Sequence, residues 1–248
     1  MAGLALGSFS FGRLIDRRTD ALKIYAYLEI GIGLCGLAMP FLLQGLNPVY
    51  IGLSRFLSDS GPALSLVRFG VSFALLIIPT TLMGGTLPVL CKFLVERKEV
   101  LGKNIGALYA LNTLGAVVGC FAAGFVLIRA VGVLETVYVA AIINLLVAAG
   151  TLILNAVVAK NGQEATRRIT TEQTQRAGVS APALLILCAF GLSGFVSLGY
   201  EVIWSRLLIF FVGNSTYAFS AMLITFLLGL AVGGFFAGKI VDRLSDPV

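Results

Sequence analysis

The chain contains no histidine. That absence removes the side chain most often used near neutral pH as a general acid-base group or metal ligand. Charge is scarce too. Asp, Glu, Lys and Arg make up 12% of the residues, against about 25% in an ordinary soluble domain. The four cysteines, Cys35, Cys91, Cys120 and Cys188, lie far apart within apolar runs. They supply neither a disulfide framework nor the paired spacing of a metal site, so no metal and no cofactor is expected. No basic leader precedes the first apolar run, and a cleavable signal peptide is not expected. Hydrophobic residues, in contrast, reach 58%, with a mean hydropathy of +0.97. So much apolar surface calls for a lipid bilayer as its solvent. The net charge of +6 then reads as basic loops flanking the membrane, and no nucleic-acid partner is expected.

One stretch occurs twice. Residues 3–17 read GLALGSFSFGRLIDR and residues 229–243 read GLAVGGFFAGKIVDR, an offset of 226 with eight of fifteen positions identical. Each copy carries glycines four apart, Gly3 with Gly7 and Gly229 with Gly233. That spacing lets two membrane helices approach closely. Each copy is expected to end in a charged turn, Gly12…Asp16-Arg17 and Gly238…Asp242-Arg243. A repeat at this separation implies parts of two equivalent halves.

Apolar periodicity and length predict an all-α, polytopic bundle of about seven spans, at about 1–15, 24–43, 66–94, 105–128, 133–157, 183–208 and 216–241. The first reaches only ~22 Å at ~1.5 Å per residue, less than a ~30 Å hydrocarbon core. It therefore reads as cut at its N-terminal end, and the chain as incomplete at both ends. Residues 1–158 would hold spans two to six of a first half, and 182–248 the first two of a second. Residues 159–181 lack an apolar period and read as a solvated linker. A loop, with a short surface helix, is expected around Pro48, Arg55, Asp59 and Pro62. In the third span, PTTLMGGTLP places Pro79 and Pro88 around paired glycines, where a kink or break can form. Seven alternating spans divide the eighteen basic residues fourteen to four between the two sides. By the positive-inside rule the fourteen are cytoplasmic, along with the linker and both Asp-Arg turns, in a bacterial inner membrane.

Gly31, Gly33 and Gly36 fit the dinucleotide fingerprint G-x-G-x-x-G, but they lie inside a span with no strand before them, so they read as helix-packing glycines. Carboxylates inside spans are more informative. Glu29 lies within the second span, Glu201 near the outer end of the sixth and Glu135 at the start of the fifth. A charged residue at the centre of a span costs about 2.5–3.5 kcal/mol on insertion scales, so it faces the bundle interior and finds a partner. Glu29 is a candidate for receiving a cation or a proton. Glu201 with Arg206, and Arg68 on the same side, is a candidate ion pair and outer gate. Asn112 and Asn144 are candidate polar neighbours of a cavity.

The Gly-x-x-x-Asp-Arg turn resembles the loop motif that follows the second helix in each half of the major facilitator superfamily. The resemblance implies that Asp16 and Asp242 contact a neighbouring helix end and basic partners, with Arg17 and Arg243 beside them, in a gating loop that also includes Gly12 and Gly238. After the motif RRTDALK and RLSDPV follow, so the match to the superfamily's longer motif is partial. Over nearly the whole chain apart from the linker, GYEVIWSRLL, the NSTYAFSAMLITFLLGLAVGGFFAGKIVDR run, PTTLMGGTLP and LYALNTLGAVVGCFAAGFVLI are similar to the membrane region of the fused spermidine synthase family. That resemblance implies a major-facilitator-type bundle joined to a soluble aminopropyltransferase domain. The catalytic domain has no counterpart in this sequence, so any enzyme activity would belong to a parent protein. The function implied is a membrane region that anchors such an enzyme or moves polyamine or a related small cation. The alternative is a stand-alone major-facilitator-type transporter.

Overall fold

The computed structural model describes residues 1–16, 18, 20–56, 61–96, 101–161, 213 and 215–244, with single positions between 192 and 207. Its helices are α1 (Ala2–Asp16), α2 (Ala21–Phe56), α3 (Gly61–Glu96), α4 (Leu101–Phe121), α5 (Ile128–Val131), α6 (Val133–Asn161) and α7 (Thr216–Leu244), with a π-helical turn at Ala122–Leu127 between α4 and α5. Among the described residues there is no strand. Five segments are long and apolar enough to cross a membrane: Ala21–Leu46, Pro62–Phe93, Leu108–Val131, Val133–Val157 and Thr216–Gly234. Most of the sixth expected span and most of the linker lie outside the described residues. At 15 residues, α1 is helical but short.

Two differences from the sequence reading concern proline. The stretch around Pro48 is helical, because α2 continues through Pro40 and Pro48 to Phe56. Likewise α3 runs unbroken through Pro79 and Pro88. A proline removes one backbone donor from a helix. Around these positions threonine hydroxyls donate to carbonyls of the preceding turn: Thr80 Oγ1 to Leu76 O (2.6 Å), Thr81 Oγ1 to Ile77 O (2.6 Å) and Thr86 Oγ1 to Met83 O (2.8 Å). None of these acceptors is Leu75 O or Gly84 O, the carbonyls that the prolines leave without a donor, so the helix persists through the intact bonds of the neighbouring residues.

The chain forms two compact units, residues 1–109 with 130–161, and residues 110–129 with 162–248. In the first, α1 lies along α3 with almost no side chain between them. Gly3 abuts Thr80, Gly7 abuts the Thr81 carbonyl and Gly84, and Gly84 abuts the backbone of Leu4. Phe11 covers Gly85. Partner numbers rise together, so α1 and α3 run parallel. On α2, Gly31 takes Leu82 of α3, while Gly33 and Gly36 receive Ala141 and Leu145 of α6. The glycines of the spurious dinucleotide fingerprint are thus packing positions. Here partner numbers on α6 fall as α2 advances, so α2 is antiparallel to α6. These directions are those of alternating spans. Ile15, Ala21, Leu28 and Val89 form the buried cluster, with Phe11, Ile24, Tyr25, Leu82 and Phe93 around it. Large side chains such as Phe69 and Phe73 stay exposed on α3, as suits a lipid-facing surface.

In the second unit, the π-helical turn packs on α7. Gly124 abuts Ser220, Cys120 Sγ lies 3.7 Å from Ser220 O, and the Phe125 and Tyr217 rings are 5.6 Å apart. At the start of α7 the Ser215 hydroxyl accepts from Ala218 N at 3.2 Å, an N-cap for that helix. Before α6 the chain turns at Gly132, whose φ of +96° favours glycine.

The contrast between crowded and open glycines gives a test. Gly7→Ala drives a methyl group into the Thr81 carbonyl, whereas Gly70 has nothing within 4 Å. SDS-titrated unfolding of the purified chain should show Gly7→Ala losing about 1–3 kcal/mol, the usual range for overpacking. Gly70→Ala should lose none. Equal effects would mean that the close α1–α3 approach is absent.

Candidate functional site

The deepest carboxyl among the described residues belongs to Glu29, 8% exposed on α2. It lies eight residues past Ala21, where the apolar segment begins. At ~1.5 Å per residue that is ~12 Å, about two turns, along the helix from the start of the segment. Helix register explains its surroundings. Tyr25, one turn earlier, packs into the cluster shared with α1 and α3. Gly33, one turn later, packs on α6. Glu29 therefore sits on the turn of α2 that passes from the α3 contact to the α6 contact. Tyr25 stands one turn before it on the same helix, close enough for its phenol to interact with the carboxyl. The described ion pair, Lys23 with Asp20 at 3.5 Å, is at the exposed start of α2, not at Glu29. A carboxyl buried inside a span can accept a proton or a small cation. Tyr25 was not singled out by the sequence reading, although its spacing of four from Glu29 on a helix marks it as a neighbour.

The first Asp-Arg turn is built at the end of α1. Gly12 faces open space, and Asp16 is the exposed last residue of α1. Arg17 lies outside the described residues. Arg13 stacks its guanidinium over the Phe9 ring at 3.9 Å. The tie from this end to a neighbouring helix comes from Lys92 of α3, whose Nζ donates to the Ile15 carbonyl at 2.5 Å. Sequence reading counted Lys92 only as a cytoplasmic charge. In the second copy, α7 continues through Asp242 and Arg243 to Leu244, so the motif ends inside a helix and not in a turn there. The side chains of Gly238, Asp242 and Arg243 fall outside what the structure describes, as do Glu201 and Arg206 altogether.

The remaining candidates are dispersed. Asn112 is exposed on α4 and Asn144 is half-buried on α6. Glu135 lies in the first turn of α6, with Gly132 beside its carboxyl. Among the described residues no group of Cys, Asp and Glu is placed to hold a metal ion. No protein-family model, curated protein or solved structure matches the chain.

Tyr25 and Glu29 form a pair whose coupling can be measured. Tyr25→Phe deletes the phenolic donor and leaves the buried carboxyl without it, which costs about 1–3 kcal/mol. In a Glu29→Leu background the same change should cost less, with a coupling energy of about 0.5–3 kcal/mol in a double-mutant cycle. Additive effects in SDS unfolding would show that the two side chains do not interact.

Proposed function

We propose that the chain is the integral membrane region of a spermidine-synthase-like protein, and that it moves polyamine or a related small cation through a bundle in which Glu29 receives the charge. The observation that carries this reading is Glu29 itself, buried about two turns inside an apolar segment, with Tyr25 one turn before it. Such carboxyls are expensive in lipid and are a mark of ion and substrate pathways. The order and spacing of the runs noted above support the family resemblance. Seven major-facilitator-like spans in a cell membrane, with the linker and Asp-Arg turns cytoplasmic, complete the proposal. The apolar stretch at about 183–208 has the length for the remaining crossing.

A second reading, a stand-alone facilitator-type transporter, is favoured by the repeated Gly-x-x-x-Asp-Arg motif. The reading frame beyond Val248 separates the two. An in-frame aminopropyltransferase domain supports the fusion, and further spans without one support the transporter. For the site, the purified full-length protein is reconstituted into vesicles and assayed for uptake and binding of radiolabelled spermidine. Glu29→Gln should lower both by at least about tenfold, the effect of losing ~1.4 kcal/mol. Uptake unchanged in Glu29→Gln would remove Glu29 from the pathway. Absence of uptake and binding in the unmutated protein would leave an anchoring role alone.

A further inference from the structure

The end of α1 is attached to α3 by more than apolar packing. We propose that Lys92 is a positioning residue that latches the Gly12–Asp16 end of α1 to α3, so that the first Asp-Arg turn moves as one body with α3. Three observations converge on this.

The first is the bond itself. Lys92 Nζ donates to Ile15 O at 2.5 Å, across 77 positions of sequence. Ile15 is the penultimate residue of α1, so its carbonyl has lost the amide that a continuing helix would offer. It accepts from Arg18 N at 3.1 Å as the chain leaves the helix. The ammonium adds a charge-assisted bond at the negative end of the helix dipole.

The second is what surrounds the bond. Ile15 is 2% exposed and Val89, one turn before Lys92 on α3, is 0% exposed. The latch thus closes over the buried cluster at the end of α1, where water has little access.

The third is the seat further along α1. Gly3 and Gly7 meet Thr80, Thr81 and Gly84 at backbone distance, and Phe11 covers Gly85. These contacts fix how closely the two helices lie, but they offer little to resist a slide along their common axis. A directional bond at Ile15 supplies that resistance. Because α1 and α3 run parallel, both partners of the latch lie at the same end of the pair. Lys92 therefore acts through Ile15 on the turn that follows, and this holds whether or not the protein moves a cation.

The test is amide hydrogen exchange of the full chain in detergent, followed by mass spectrometry of peptides across the sequence. Lys92→Met keeps the length of the side chain and deletes its charge and donors. Lys92→Arg keeps both. In Lys92→Met, amides around residues 12–18 should exchange on the order of tenfold faster, the effect of losing a bond to a charged group. Peptides from α6 and α7 should be unchanged, and Lys92→Arg should exchange like the unmutated protein. Identical exchange in Lys92→Met overturns the proposal, because the bond would then hold nothing. A rise that Lys92→Arg fails to reverse, local or chain-wide, also overturns it, because the effect would not belong to the cationic donor.

Discussion

The contact on which the first unit depends is the approach of α1 to α3 without side chains between them. Helices in lipid gain little from hiding apolar surface, since the solvent is as apolar as they are. What holds them is dispersion over a close interface, and dispersion falls steeply with separation. Glycine at positions 3, 7, 84 and 85 removes the atoms that would hold the backbones apart. The same device recurs where Gly31 meets Leu82 and where Gly33 and Gly36 meet α6. Once α1, α2 and α6 are placed by these contacts, the buried cluster at Ile15, Leu28 and Val89 follows from the register.

That arrangement also sets the polar chemistry available. Backbone groups are satisfied within each helix, so polar side chains are free to bond with one another or with the few carbonyls left over. The threonines of α3 bond to their own preceding turn beside the prolines. Lys92 reaches a carbonyl at the end of α1. Glu29 has Tyr25 on its own helix, and the turn that carries both passes between two packed faces of α2. The carboxyl is 8% exposed, the burial in which an intramembrane acid can persist.

The helical class and the five long apolar segments could be read from apolar run length alone, because a segment that crosses lipid must be long and apolar throughout. Glycine spacing indicated which faces pack, and register did the rest for Gly33 and Gly36. Glu29 stood out because an acid inside a span is rare. Proline was misleading around Pro48: it is read as a breaker, yet losing one donor does not end a helix whose neighbouring bonds remain intact. Lys92 and Tyr25 were not legible as partners. One lies 77 positions from its acceptor, and the other is an ordinary aromatic until the burial of Glu29 gives its hydroxyl a task. A single sequence contains no record of such pairings.

The two copies of the repeated stretch show how far a local sequence determines its surroundings. Both are helical, as their shared composition requires. Gly3 and Gly7 are buried against α3. Gly229 and Gly233, their equivalents, have no described residue within 4 Å. The first copy leaves the helix at Asp16, whereas in the second the helix runs on past Asp242 and Arg243. Fifteen residues with eight identities therefore fix a helix and a face that can be packed closely, but not what packs there. In the first copy the Thr80–Gly85 segment of α3 supplies the complementary surface and Lys92 supplies the bond at the end. The close seat of α1 and the bond at its end are properties of α1 and α3 together, and the motif alone does not carry them.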